Sequence, residues 1–237
     1  MLVVTVAVVF VNLGLWQLRR ADERRMVNTV GQSRIGEEPL PLETLLDAAG
    51  DDISSLEYRP ATATGVFDSG NEVLVRSQVN LGTAGFHVIT PLVVAEGEAV
   101  LVNRGWVPLV LDETPVEEAP PPEGEVTIEG WVHLTQTRGA LGPSDPEEGR
   151  LITMSRVDID RIAAQAPYEL APVYLVETGG DGDQLPLPPP IPTFDDDGPH
   201  LSYAIQWFGF AVVGLVGYGF LIRRALRGGW SPETSAP

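Results

Sequence analysis

Only one face of this chain gathers side chains that could hold a cofactor. His200, Tyr203 and Trp207 stand at i, i+3 and i+7, so on a helix they share one side at the head of a long apolar run. Three roles compete for that face. Tyr203 and Trp207 could be interfacial belt residues with His200 capping the helix. His200 could instead be an axial ligand for a haem held between two apolar spans, with Trp207 and Tyr203 packing on or bonding to the macrocycle. The face could also meet a partner membrane protein. On the residues alone the belt-and-cap reading is favoured.

The other reactive residue types form no catalytic constellation, so the chain reads as a non-enzyme. His87 and His133 sit in separate strand-like stretches with no Cys or Met nearby, which favours structural roles over a soft-metal site. Asp195, Asp196 and Asp197 lack the spacing and glycine of a calcium loop and read as a solvated charge run. Ser202 lies near His200, but no nucleophile elbow or orienting acid accompanies it. The chain has no cysteine, which excludes thiolate zinc sites, thiol catalysis and disulfides. Arg104, in LVNRGWVP, is flanked by strand core and by Gly105-Trp106; partial burial there demands a carboxylate or carbonyl partner. A structural ion pair is favoured for it over a docking role.

These residues are positioned by two apolar segments and a domain between them. Leu201 to Ile222 carries no charge and, at ~1.5 Å per residue, is long enough to cross a bilayer. Leu2 to Leu18 is a second charge-free run at the short end of the spanning range. It lacks a basic leader and a cleavage site, so it reads as a retained anchor rather than a signal peptide. Because apolar sequence starts at residue 2, native residues upstream of Met1 are expected. Two spans place both termini on one side. Arg223, Arg224 and Arg227 pull the C-terminus inward while Arg19, Arg20, Arg24 and Arg25 pull the other flank inward, so charge alone leaves orientation open. The resulting division is span 1–18, domain 19–199, span 200–222 and tail 223–237.

Within the middle, Arg19 to Gln32 should continue the first helix, and Pro41 to Ala49 form a short one. Tyr58 to Phe67 and Glu72 to Val79 read as a hairpin around Asp68 to Asn71; Phe86 to Val94 and Ala99 to Val107 read as a second around Glu96-Gly97-Glu98. Further strands are expected at Glu125 to Leu134, Leu151 to Arg156 and Pro172 to Glu177, and a helix at Val157 to Ala166. Asp112 to Glu125 reads as an acidic surface loop, and residues 183–199, with LPLPPPIP, as an extended tether. The fold class is therefore an α+β membrane protein: two transmembrane helices flanking a mostly antiparallel β domain, barrel- or sandwich-like, with short helices.

Charge limits the partners. Formal net charge is −18, all 15 basic residues are Arg, and Met26 to His200 holds 8 Arg against 30 acidic residues. A phosphate backbone would be repelled, so nucleic acid is excluded. The absence of Lys points to a bacterium of high genomic G+C content.

Five blocks, in order, carry a resemblance: LGLWQLRR (13–20), YRPATATGVFD (58–68), GFHVITPL (85–92), VLVNRGWVP (100–108) and HLSYAIQWFGFA (200–211). Together they resemble the surfeit locus protein 1 family, assembly factors of haem-copper cytochrome c oxidase, over nearly the whole chain. The resemblance implies a large extracytoplasmic domain between two spans in the bacterial plasma membrane, with both termini cytoplasmic. It implies haem a as a transient cofactor, with His200 as ligand and Trp207 and Tyr203 shaping the pocket, and delivery to subunit I. Oxidase subunits, haem a synthase and the lipid bilayer are the expected partners, and Arg104, Trp106 and Trp16 the expected docking residues. Pro199 departs from the Asn common before this His, and the Asp195 to Asp197 run is also unusual. The rival reading is a permanent accessory subunit of the oxidase or a respiratory supercomplex; a hydrolase using Ser202 and His200 is a distant third.

Overall fold

The computed structural model describes residues 2–34, 36–139, 142–179, 184–190, 194 and 198–227. The chain divides into two units: Met1–Gln32 with Thr193–Pro237, and Ser33–Pro192. Asp195 to Asp197, parts of the 183–199 stretch and the end of the C-terminal tail lie outside the described residues.

In the first unit, helix α1 (Leu2–Arg34) runs on without a break past the apolar segment, as expected from Arg19 to Gln32. Its buried positions include Ala7, Gly14, Ala21 and Asn28, one every seven residues. This is the seam a helix presents to a close neighbour, built here from small side chains. The C-terminal helix, His200–Arg227, buries Ala204 and Ala211 at the same interval. Gly14 receives the Phe208 ring so closely that a Cβ there would lie 2.6 Å from it. Both terminal helices are long and apolar enough to cross a membrane.

The second unit begins with a two-residue strand, β1 (Leu40–Pro41), and helix α2 (Leu42–Ala49). The larger strands are β2 (Pro60–Phe67), β3 (Val73–Asn80), β4 (Thr83–Ala95), β5 (Glu98–Pro108) and β6 (Glu125–Leu134). They are followed by β7 (Thr153–Met154), helix α3 (Ile159–Ala163) and β8 (Glu169–Glu177); the C-terminal helix is α4. Five strands close into a barrel in the order β2-β6-β8-β5-β4, returning to β2. All contacts in the ring are antiparallel except β5–β8. The closing β4–β2 contact is only Val66↔Val93 and Phe67↔Leu92. Gly65 makes that approach possible, since a Cβ there would lie 2.2 Å from the Val93 carbonyl oxygen.

Leu42 and Leu45 of α2 join Ala61, Leu92, Val102, Val132 and Leu175 in the barrel core. Beyond the ring, β3 extends the sheet along β4. One face is covered by α3 and Met154, the other by Val116 and Ala119 of the acidic loop. With both faces covered, β5 is buried from Ala99 to Val107, which explains its nearly unbroken apolar run.

Two expectations need correcting. β2 and β3 form no hairpin: Ser69–Asn71 is a single 3-10 turn, and β3 instead pairs with β4. The connecting turn is Leu81-Gly82, both at positive φ (47° and 83°), in the manner of a type I′ hairpin. An exposed Leu at such a position carries no turn signal. The strand expected over Leu151 to Arg156 shrinks to Thr153–Met154, parallel to β3. The following helix starts only after Asp158, whose carboxylate accepts from the Arg161 backbone N–H at 3.1 Å.

Candidate functional site

At the head of α4 the His200 Nδ1 faces Gln17 Oε1 of α1 at 2.9 Å. With the amide oxygen there, the ring donates from Nδ1, and Nε2 has no hydrogen-bond partner among the described residues. Gly198 sits at that edge of the ring, where a Cβ would come within 3.6 Å of Nε2. A hydrogen bond at Nδ1 that fixes the tautomer and turns Nε2 outward is the arrangement a metal-ligating imidazole uses. These residues fit a haem held through one axial histidine.

Below His200, Trp207 meets Phe10 of α1 at a tilt of 35° with ring centroids 5.5 Å apart and meets Phe210 edge-on at 5.9 Å. Phe10 and Phe210 are themselves 5.9 Å apart. This makes an aromatic layer across the helix pair. The structure therefore brings His200 and Trp207 to the face that meets α1. Tyr203 does not join them: it is half exposed, and its hydroxyl has no partner among the described residues. Helical geometry explains this, because the packed positions His200, Ala204, Trp207 and Ala211 step by four, three and four, leaving Tyr203 on the flank. The Ser202 hydroxyl donates back to the Pro199 carbonyl at 2.7 Å, a local bond to the preceding turn rather than a nucleophile–base pair with His200. Trp16 is half exposed.

Glu72, Thr90, Asn103 and Arg104 of the β domain are buried and serve its interior. Arg104 and Trp106, expected on a docking surface, are only 5% and 7% exposed. Arg104 Nη2 meets Glu72 Oε2 at 2.8 Å, and its Nε donates to the Thr90 hydroxyl at 2.8 Å. Thr90 in turn donates to Glu72 Oε2 at 2.7 Å, and the Val116 backbone N–H reaches Glu72 Oε1 at 2.9 Å. The guanidinium also lies over the Phe67 ring, 5.9 Å from its centroid. Arg104 is thus in the structural ion pair that its flanking residues suggested. Trp106 exchanges two backbone hydrogen bonds with Leu187 of the proline-rich segment, at 2.7 and 2.8 Å. Gly105, at φ 135°, admits that segment: a Cβ there would lie 2.3 Å from the Leu187 carbonyl oxygen. Residues 184–190 of the tether are therefore seated on the barrel through Leu187.

His133 pairs with Glu57 (Nδ1 to Oε1, 3.1 Å) and stacks on Tyr174, whose hydroxyl burial pushes well above its ordinary range. His87 is enclosed beside Asn103, whose amide donates to Nδ1 at 3.2 Å, and burial lowers its pKa from 6.5 to about 4. The neutral form is the one folded, so its contribution is complete above pH 6.5 and is lost as pH falls towards 4. The loss reaches about 3 kcal/mol. His87→Gln should flatten the pH dependence of unfolding across that window, measured by urea titration of the full chain in detergent; an unchanged slope would rule the assignment out.

A family model for the SURF1 family matches residues 4–212. The chain belongs to the SURF1 family. Among similar proteins, an uncharacterised SURF1-like protein of Mycobacterium tuberculosis (strain ATCC 25618 / H37Rv) is 29% identical over 235 residues, covering 96% of this chain and 83% of the relative. Human surfeit locus protein 1 is 27% identical over 218 residues, covering 84% and 69%. A SURF1-like protein of Rickettsia felis is 24% identical over 217 residues, covering 89% and 90%. The SURF1 match takes in all of α1 after Val3, the whole barrel and the first half of α4, so the His200, Gln17 and Trp207 positions lie inside it.

Gln17, Phe10 and Glu72 are the residues that sequence reasoning passed over. Gln17 had a signal: it is an amide at the end of a charge-free run, where a polar side chain needs a partner. Glu72 had a weaker one, as a carboxylate entering a strand 32 residues before Arg104.

Proposed function

We propose that this SURF1-family protein is a membrane-anchored, non-enzymatic assembly factor for haem-copper cytochrome c oxidase that assists delivery of haem a to subunit I. The observation that carries the reading is the His200–Gln17 contact, which joins the two apolar helices and leaves Nε2 without a partner among the described residues. His200 would hold the iron, Gln17 would keep the ring oriented, and Trp207 with Phe10 would wall the macrocycle from lipid. Haem a, when bound, is the redox group that the oxidase receives. The two helices anchor the protein in the bacterial plasma membrane, with the barrel outside the cytoplasm facing oxidase subunits and, on this reading, haem a synthase.

The test is the haem a absorbance of membranes from a strain lacking this protein, complemented with wild type or with His200→Ala. Deletion should lower the signal, wild type restore it and His200→Ala fail to. An unchanged haem a signal after deletion would sink the assembly role. Stoichiometric presence of the chain in mature, active oxidase would instead favour a resident accessory subunit.

A further inference from the structure

Between the two apolar helices, on the opposite side of the aromatic layer from His200, lies a groove of about 410 Å³. Val3, Ala7, Gly214, Gly217, Tyr218 and Leu221 line it, and Phe10 and Phe210 form its upper end, so it opens directly from the layer that carries Trp207. Glycine in a membrane helix normally lets a neighbour come close. Gly14 does this, with the Phe208 ring against it. Gly214 and Gly217 do not: a Cβ added at either would meet nothing within 4 Å. They leave room that α1 does not use. In a bilayer, an unfilled apolar groove forfeits dispersion contacts along its whole wall, so an apolar chain must occupy it.

We propose that this groove takes an isoprenoid chain, the farnesyl tail of haem a, and so selects farnesylated haem over haem b. The identity of the ligand rests on the proposed haem a reading; the space and its apolar wall do not. The argument is continuity and shape. The groove begins at the aromatic layer beneath the candidate iron ligand. Phe10 to Leu2 gives it roughly 12 Å of length along α1, room for about two isoprene units. Haem b carries a vinyl group where haem a carries the tail, and so has nothing to put there.

The experiment titrates the full chain in detergent with haem a and with haem b, following the Soret band. Wild type should bind haem a at least tenfold more tightly, about 1.4 kcal/mol. Gly214→Leu and Gly217→Leu, whose Cβ atoms meet nothing within 4 Å and whose branches take up groove space, should abolish that preference and leave haem b binding unchanged. Gly209→Leu adds the same bulk outside the groove, where a Cβ also meets nothing, and should alter neither. Equal affinity of wild type for both haems, or a preference that survives the filled variants, overturns the inference.

A second arm needs no haem. A photoreactive farnesol analogue should label groove peptides of the apo chain, be displaced by farnesol, and fail on the Gly214→Leu/Gly217→Leu chain. Displacement by phosphatidylglycerol but not by farnesol would make this an acyl-lipid groove and overturn the inference. Absence of labelling in wild type overturns it as well. Labelling without binding of either haem defeats the haem reading while the isoprenoid assignment stands; haem binding without a tail preference defeats the inference alone.

Discussion

Arg104→Met should destabilise the β domain by about 3–5 kcal/mol, because it strands Glu72 as an uncompensated charge with 0% side-chain exposure. Glu72 would keep its bonds from Thr90 and from the Val116 N–H, but two neutral donors do not replace a guanidinium held at 2.8 Å. The damage should spread to the acidic loop, since the Val116 bond to Glu72 ties that loop to the sheet. Glu72→Leu with Arg104→Met in the same chain removes both charges and should recover most of the loss. Thr90→Val, which deletes the hydroxyl bridging the pair, should cost about 1–3 kcal/mol. Urea unfolding of the full chain in detergent, followed by circular dichroism, reads all three. A double variant no more stable than Arg104→Met would show that the pair is not the source of the effect.

The second large effect is expected in the membrane unit. Gly14→Leu puts a side chain where the Phe208 ring already stands 2.6–2.9 Å from the position of a Cβ. One helix must shift, at about 1–3 kcal/mol of overpacking. Three residues further along α1 is Gln17, so the same shift should separate its amide from His200. Cysteines introduced at 17 and 200 report this directly, because their side chains meet in the native pair and the chain has no cysteine of its own. A short bismaleimide should bridge the two in the wild-type background and lose most of that yield with Gly14→Leu. Phe208→Ala should restore bridging by making room. If bridging is unaffected by Gly14→Leu, the close approach of Gly14 and Phe208 does not set the helix spacing.

The parts legible in the sequence were those marked by a period or a run. Charge-free stretches gave both long apolar helices, and the head of the second one singled out His200 and Trp207. The hairpin around Gly97 was visible because Glu96 to Glu98 is an ordinary polar turn. What stayed hidden depended on partners distant in the chain. Gln17 reads as an interfacial amide until a histidine 183 residues later is placed beside it. Arg104 announced that it needed a carboxylate but not which one among 33 acidic residues. Tyr203 was assigned to the histidine's face by a spacing that is correct for one helix alone; which flank packs is decided by the neighbour. The turn at Leu81 was missed because its conformation is imposed by the strands it joins and not by its own side chain. The sequence left barrel and sandwich both open, because nothing in either strand says that β5 and β8 meet in parallel to complete the ring.

That parallel contact has a consequence for the order in which the molecule is made. When β5 leaves the ribosome it has β4 on one side and nothing on the other. Its remaining partner, β8, is about 60 residues downstream, which is roughly 3–12 s of synthesis. β6 waits as well, with β2 along one edge and the other open until β8 arrives. The stave that completes the ring is thus the last strand produced, and the next helix to follow it is the apolar α4. For those seconds an incomplete barrel offers two unsatisfied edges to any neighbouring strand, the situation in which a nascent chain most needs a chaperone.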